Sequence, residues 1–349
     1  MKVLQIIDQL KVGGAERVIV DLSNILHENN IDVSVLCLLD KAELDAHLID
    51  AIDVIYLKRR NKFSIKTLFR LHNYLKKFDI VHVHCRQTMR YVGLLYFIPF
   101  TKKHRVVFQD HFGRIDIDKQ IDFLLYSVLK KINVYVGVSS SLVHWFTNFN
   151  FNGQVCLLSN IVRKFKIDSK KDREVGTKIL MIGNFRNQKN YQYALKVLKE
   201  LPKEYTLTII GKIVDKEYYD SIIDKIMLFK LTNRVKVITD IDDASKEITQ
   251  YDIGLHTAKS ETGPLVAIEY LVAQLPFLMF DTGEVAKTIT PNLNELIAKD
   301  FKEANWCEKL LFIKENHPRI KDKIKIMVEN HFSEKTYVET ITTIYKNIL

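Results

Sequence analysis

Short runs of Val, Ile and Leu recur along this 349-residue chain and alternate with longer segments of helical periodicity. Runs that are apolar on both faces suit parallel strands covered by helices on either side, because a strand inside such a sheet has no solvent face. The first half carries seven such runs, at residues 3–7, 33–38, 54–57, 80–84, 106–109, 134–138 and 155–158. The second half carries five more, at 179–182, 206–210, 235–238, 253–256 and 277–280. A polar stretch at 163–178 interrupts the pattern and reads as a linker. The expectation is an α/β chain of two Rossmann-like, doubly wound parallel-sheet domains, 1–165 and 166–332, facing each other across a cleft. Ligands of open α/β sheets bind at the carboxyl ends of the strands, so the residues that follow strands are the ones to read.

Composition narrows the classes. Hydrophobic residues make up 47% and charged residues 27%, which is ordinary for a globular protein and excludes disorder. The net charge of +10 is uneven, with 23 Lys and Arg against 15 Asp and Glu in residues 1–165. A basic half suits an anionic partner such as phospholipid headgroups or a phosphorylated acceptor; the alternative is a solvated basic surface. Nucleic acid is not expected, because the cations are not interleaved with an aromatic RNA motif. Cys37, Cys85, Cys156 and Cys307 lie far apart, and no CxxC or Cys/His cluster brings metal-ligand spacing into view. Asp8 and Gln9 interrupt the first apolar stretch too early for a signal peptide, and the expected location is cytoplasmic. The longest apolar run, 91–100, contains Pro99 and has ten residues where a spanning helix needs about 20. Flanked by Arg90 and by Lys102, Lys103, His104 and Arg105, it is a candidate for docking on the inner face of an anionic membrane.

Four segments carry candidate chemistry. After the first run, Gly13 and Gly14 open an amphipathic helix, whose free N–H groups and dipole favour a phosphate. The spacing is neither GxGxxG nor a P-loop, which removes the main support for a dehydrogenase or kinase. After the eighth run comes Gly183-Asn184-Phe185-Arg186-Asn187-Gln188-Lys189, where Arg186 and Lys189 each offer a cation for a phosphate oxygen. After the run at 253–256 comes Ser260-Glu261-Thr262-Gly263-Pro264-Leu265-Val266-Ala267-Ile268-Glu269. Pro264 suits the first position of a helix, which puts the N–H groups of Gly263, Leu265 and Val266 at an uncapped, positive end suited to a diphosphate. Glu261 precedes that helix and Glu269 lies within it. Eight helical residues span about 12 Å, too far for paired acid/base work on one bond but suited to a sugar diol at each end of a diphosphate. The competing reading makes Glu261 a cap and Glu269 a solvated helical residue. Asp110-His111-Phe112-Gly113 follows the run at 106–109, and His82 and His84 lie at the end of another; His111 is the preferred functional histidine.

Taken in order, Gly13-Gly14-Ala15-Glu16-Arg17, His111, Ser159-Asn160, Lys189 and the E-x7-E pair Glu261 and Glu269 resemble the family 4 (group 1) glycosyltransferases of GT-B fold. The resemblance covers nearly the whole chain. It implies that a terminal helix over 333–349 crosses back to the first domain. By resemblance, Glu269 binds the nucleotide ribose and Glu261 the C3 and C4 hydroxyls of the transferred sugar. Lys189 and a neighbouring Arg hold the diphosphate, Gly14 approaches the donor phosphates, and His111 contacts the transferred sugar. The implied catalytic set is Glu261, His111, Arg186 and Lys189. The implied donor-binding set is Gly13, Gly14, Gly183, Arg186, Lys189, Gly263, Pro264, Leu265 and Glu269. The implied reaction moves a hexose or N-acetylhexosamine, with retention and without a metal, from a UDP-sugar or GDP-sugar. The acceptor is then a lipid-linked, lipopolysaccharide or capsule glycan. A nonhydrolysing nucleotide-sugar epimerase of the same architecture is the alternative. Two departures stand out: Asn184 occupies the family's usual Arg position, with Arg186 two places on, and the Gly that follows the first Glu is displaced to Gly263.

Overall fold

A computed structural model describes residues 1–61, 64–99, 104–164, 176–241 and 243–349. They divide into two compact units, Met1–Arg163 with Glu334–Leu349, and Lys164–Ser333. Most of the expected linker, 165–175, lies outside the described residues, as do Lys102 and Lys103.

The first unit holds seven strands: β1 Lys2–Ile7, β2 Asp32–Cys37, β3 Asp53–Tyr56, β4 Ile80–His84, β5 Val106–Asp110, β6 Val134–Gly137 and β7 Gln154–Leu157. All pair in parallel, in the order β3-β2-β1-β4-β5-β6-β7. The second holds β8 Lys178–Ile182, β9 Thr206–Ile210, β10 Val235–Ile238, β11 Ile253–His256, β12 Phe277–Phe280 and β13 Ile297–Ala298. These too are parallel, in the order β10-β9-β8-β11-β12-β13. Each sheet is doubly wound, as the apolar runs require. Only β13 lacks a counterpart in the sequence reading, because two residues followed by Lys299 and Asp300 make no apolar run.

Both faces of the first sheet are covered. Leu4 and Ile6 enter one core with Val81, Val83 and Phe108. Val3 and Ile7 enter the other with Val33, Val35 and Val107. Each fully buried Leu or Ile contributes about 1.5–3 kcal/mol, which is why two-sided burial outcompetes a half-solvated strand. The terminal helix Glu334–Lys346 belongs to this second core, burying Tyr337, Val338, Ile341, Ile344 and Tyr345 at helical spacing.

The run at 91–100 is largely core. It ends the helix Arg86–Gly93 and continues as the 3-10 turn Leu94–Phe97, with Tyr91, Val92 and Leu95 buried and Phe97 half exposed. Among the described residues no helix is long and apolar enough to cross a membrane. In each sheet the winding direction reverses beside its first strand, between β1 and β4 and between β8 and β11. The loops at those two points carry most of the candidate residues, while His111 follows β5.

Candidate active site

In the second unit the loops after β8, β9 and β11 interlock. Gly183 donates its N–H to the Ile210 carbonyl at 2.9 Å. A Cβ on Gly211 would lie 1.8 Å from the Gly183 carbonyl oxygen, so the two loops approach as closely as only glycine permits. Asn184 Oδ1 accepts from the Lys212 N–H at 3.3 Å, so the residue in the family's Arg position ties one loop to the next. Phe185 is buried between the rings of Tyr191 and Tyr219. Arg186, next in line in extended backbone, is exposed, and no ion pair engages it among the described residues.

The 3-10 turn Asn187–Lys189 then ends in a left-handed Asn190, φ 56°, a conformation Asn tolerates better than most residues. Lys189 thereby returns toward the sheet. Its stem crosses Gly183, where a Cβ would meet Lys189 Cε at 3.2 Å. Its ammonium lies 2.6 Å from Glu261 Oε1. Thr257, after β11, donates its hydroxyl to the carbonyls of Lys189 and Asn190, fixing the turn at 3.0 and 3.1 Å.

Glu261 is held from the other side. Its N–H donates to Thr282 Oγ1 at 3.1 Å, and the Glu284 N–H donates to the Thr262 carbonyl at 2.7 Å. Between Thr282 and Glu284, Gly283 adopts φ +77°, and a Cβ there would press on Glu261 O, Thr262 O and Pro264 Cδ. Pro264 is not the first helical residue. With ψ 110° it is the N-cap, one position before the helix Leu265–Val272, and no side chain caps that helix. The shift leaves the N–H groups of Leu265 and Val266 at the positive end, beside Gly263. Glu269 lies inside the helix and is partly buried.

Burial raises the Glu261 carboxyl pKa, but the Lys189 ammonium and the neighbouring His256 outweigh it and bring it down to about 2. Glu261 is therefore ionised. Lys189 has three N–H donors and spends one on Glu261, which leaves donors for an anion. His256, at the end of β11, was missed by the sequence reading. It is 3% exposed, and its Nε2 faces the Glu261 carboxylate, 3.8 Å from Oε1. Burial lowers its pKa, so the neutral ring is favoured. The signal for it was present, since a histidine closing a buried strand directly before a loop of candidates is out of place in an apolar run.

In the first unit, Gly13 is the N-cap of the helix Gly14–Glu28, and no side chain caps it. Glu16 folds back over this end: a Cβ on Gly13 would stand 2.3 Å from Glu16 Oε2. A phosphate arriving there meets that carboxylate. His111 follows β5 and is half buried; its Nε2 lies 3.1 Å from His84 Nδ1. Burial lowers the His111 pKa to about 4, against the upward pull of Asp110 and Asn160. Asp110 itself is fully buried in an ion pair with Arg86, whose Nε donates to Oδ2 at 2.9 Å and whose terminal nitrogen lies 2.8 Å from the same oxygen, and Oδ2 accepts the Tyr135 hydroxyl at 3.0 Å. Arg86 in turn lies over the Phe112 ring. This buried pair anchors the backbone from which His111 projects. Sequence reasoning also passed over Gln5, the one polar residue between Val3 and Ile7, whose side chain meets His84. Among the described residues no group of three or more His, Cys, Asp or Glu side chains is placed to hold a metal ion.

These two sites sit on a chain whose sequence matches two successive family descriptions. Glycosyltransferase Family 4 matches residues 12–163, and Glycosyl transferases group 1 matches residues 162–333. The chain belongs to the group 1 glycosyltransferases, with the GT-B fold. Among its relatives are an uncharacterized 41.2 kDa protein in the cps region of Klebsiella pneumoniae, 25% identical over 99% of this chain and 100% of that one. Another is the amylovoran biosynthesis glycosyltransferase AmsD of Erwinia amylovora, 25% identical over 87% of this chain and 94% of that one. In structure the chain is similar to Anabaena HepE in complex with UDP and glucose, with a TM-score of 0.82 and 15% identity over 99% of both chains.

Proposed function

We propose that this glycosyltransferase moves a hexose or N-acetylhexosamine from a UDP-sugar to a capsule, lipopolysaccharide or lipid-linked glycan acceptor, with retention of configuration and no metal. The observation that carries the reading is the Lys189–Glu261 contact beside an uncapped helix end. It supplies a cation and free N–H groups for a diphosphate and an ionised carboxylate for sugar hydroxyls. Glu269, inside that helix, is the carboxylate for the ribose diol. Lys189 and Arg186 provide the positive charge that stabilises the departing diphosphate. His111 in the first unit contacts the transferred sugar. UDP is favoured over GDP because HepE is seen with UDP and glucose, and a polysaccharide acceptor because AmsD and the Klebsiella protein belong to such systems.

Incubation of the protein with UDP-sugars, GDP-sugars and undecaprenyl-diphosphate-linked saccharides, with and without EDTA, tests this reading. The expected result is UDP release coupled to an elongated glycan, insensitive to EDTA, with the product anomer matching the donor by NMR. An altered nucleotide sugar formed without acceptor would instead identify the epimerase, and an inverted linkage would refute retention.

A further inference from the structure

One face of the first sheet carries a row of polar side chains where an apolar surface is expected. Gln5 of β1 and His82 of β4 are directly paired in register, His84 lies two residues along the same face, and His111 continues that face beyond β5. Their neighbours on this face, Val3, Ile7, Ile80 and Val107, are core. Gln5, His82 and His84 are fully buried, so each polar atom needs a partner. The terminal helix supplies one in Tyr345, also fully buried.

The contacts form one chain. His84 Nε2 lies 2.7 Å from Gln5 Oε1, Gln5 Nε2 donates to the Tyr345 hydroxyl at 3.4 Å, and that hydroxyl lies 2.8 Å from His82 Nδ1. At the other end His84 Nδ1 lies 3.1 Å from His111 Nε2. A neutral imidazole has one N–H and one lone pair, so orienting one member orients the next. Gln5 Oε1 only accepts, which places the His84 hydrogen on Nε2. His84 Nδ1 is then a lone pair that draws the His111 hydrogen to Nε2, in competition with the Asn160 side chain, which also hydrogen-bonds the His111 ring.

We propose that Gln5 and Tyr345, acting through His84, are positioning residues that hold His111 as its Nε2–H tautomer and leave its Nδ1 as a hydrogen-bond acceptor for a hydroxyl of the transferred sugar. The second half of this statement rests on the reading of His111 as a sugar contact. The first half does not. A tautomer set by a buried neighbour is a known determinant of what a histidine does in a site.

The test uses the full chain with 15N-labelled histidine, His111 being assigned by His111→Asn. Wild type should show His111 with a protonated Nε2 and a bare Nδ1. Gln5→Met and Tyr345→Phe conserve volume and remove the hydrogen bonds; both should stay folded by circular dichroism and give mixed tautomers at His111. Each should lower kcat about tenfold while donor KM changes less than about twofold, and Gln5→Met should cost less than about twofold more in a His111→Ala background. An Nδ1–H tautomer in wild type, as when His111 donates to Asn160, overturns the proposal. So do an unchanged tautomer in both variants or losses that add to that of His111→Ala. Full activity of His111→Ala alongside a Gln5-dependent tautomer would refute the sugar contact and leave the positioning chain standing.

Discussion

Lys189 Nζ lies 2.6 Å from Glu261 Oε1 across 72 positions of sequence, so the two residues assigned to opposite ends of a diphosphate-sugar touch each other directly. Removing one partner of this partly buried ion pair leaves the other charge uncompensated. The two carboxylates should separate kinetically. Glu261→Ala, which also frees Lys189, should mainly lower kcat, while Glu269→Ala should mainly raise donor KM. Each lost charged hydrogen bond is worth about 1.5–3 kcal/mol, or roughly ten- to a hundredfold in kcat/KM. Steady-state kinetics with unfolding controls check this, and wild-type constants in both variants would remove the pair from the site.

Arg186 poses a sharper question, because it is exposed while Asn184 sits where the family has Arg. If Arg186 swings to the diphosphate, Arg186→Ala should lose activity on the scale of Lys189→Ala. The double change Asn184→Arg with Arg186→Ala should then recover part of the rate, with Asn184→Arg alone doing little. Recovery will be incomplete, since Asn184 also holds the Lys212 backbone at 3.3 Å. An Arg186→Ala variant with full activity and normal UDP affinity by calorimetry would assign phosphate binding to Lys189 and the helix end alone.

The buried histidines set the acid side of stability. Burial lowers the pKa of His82 to about 3 and of His111 to about 4, and that of His84 well below the ordinary value. The unfolded chain binds protons near pH 6.5, whereas the folded chain resists them. Stability should therefore fall as pH drops from about 6.5 toward 4, at up to about 1.4 kcal/mol per pH unit for each such histidine. Urea midpoints measured over that range should have a shallower pH dependence in His82→Gln. An identical slope in the variant would mean His82 is not a source of the effect.

The predicted docking on anionic lipid falls to exposed side chains, and within the largely buried run at 91–100 only Phe97 is an exposed large apolar residue among the described residues. Among the described residues of the first unit between β3 and β6, Ile65, Phe69, Phe97, Ile117 and Phe123 are the exposed large apolar side chains. Exposed Lys66, Arg70 and Lys119 accompany them in the sequence. Each nearby cation adds about 1 kcal/mol of attraction to anionic lipid. Flotation with phosphatidylglycerol vesicles should be salt-sensitive and weakened by Phe69→Asp with Phe123→Asp. Equal recovery on neutral vesicles would exclude an electrostatic docking surface.

The sheets were legible because a strand covered on both faces is apolar along most of its length, as at Leu36–Leu38 and Ile179–Met181. The order of the loops around Gly13, Gly183, Glu261 and Glu269 followed from the same runs. What sequence could not show was proximity. Nothing in the spacing of Gln5 and Tyr345 brings them together, because their contact depends on the last helix returning to a sheet started by the first strand. Likewise His256 is one more buried residue until the loop after it places Glu261 3.8 Å away. Pro264 was misplaced by a single residue because proline's fixed φ is equally compatible with N-cap and first-turn positions, and only ψ separates them.

The first unit is assembled from both ends of the chain, with Tyr337, Ile341 and Tyr345 completing a core begun by Val3 and Ile7. During synthesis on the ribosome, that core stays open while the entire second sheet is translated. The second unit, contiguous in sequence, can close first. The nascent first sheet meanwhile exposes Gln5, His82 and His84 to water, where their polar groups are at ease. The side chains that bind the last helix by hydrogen bonds are thus ones that water can also satisfy before that helix arrives.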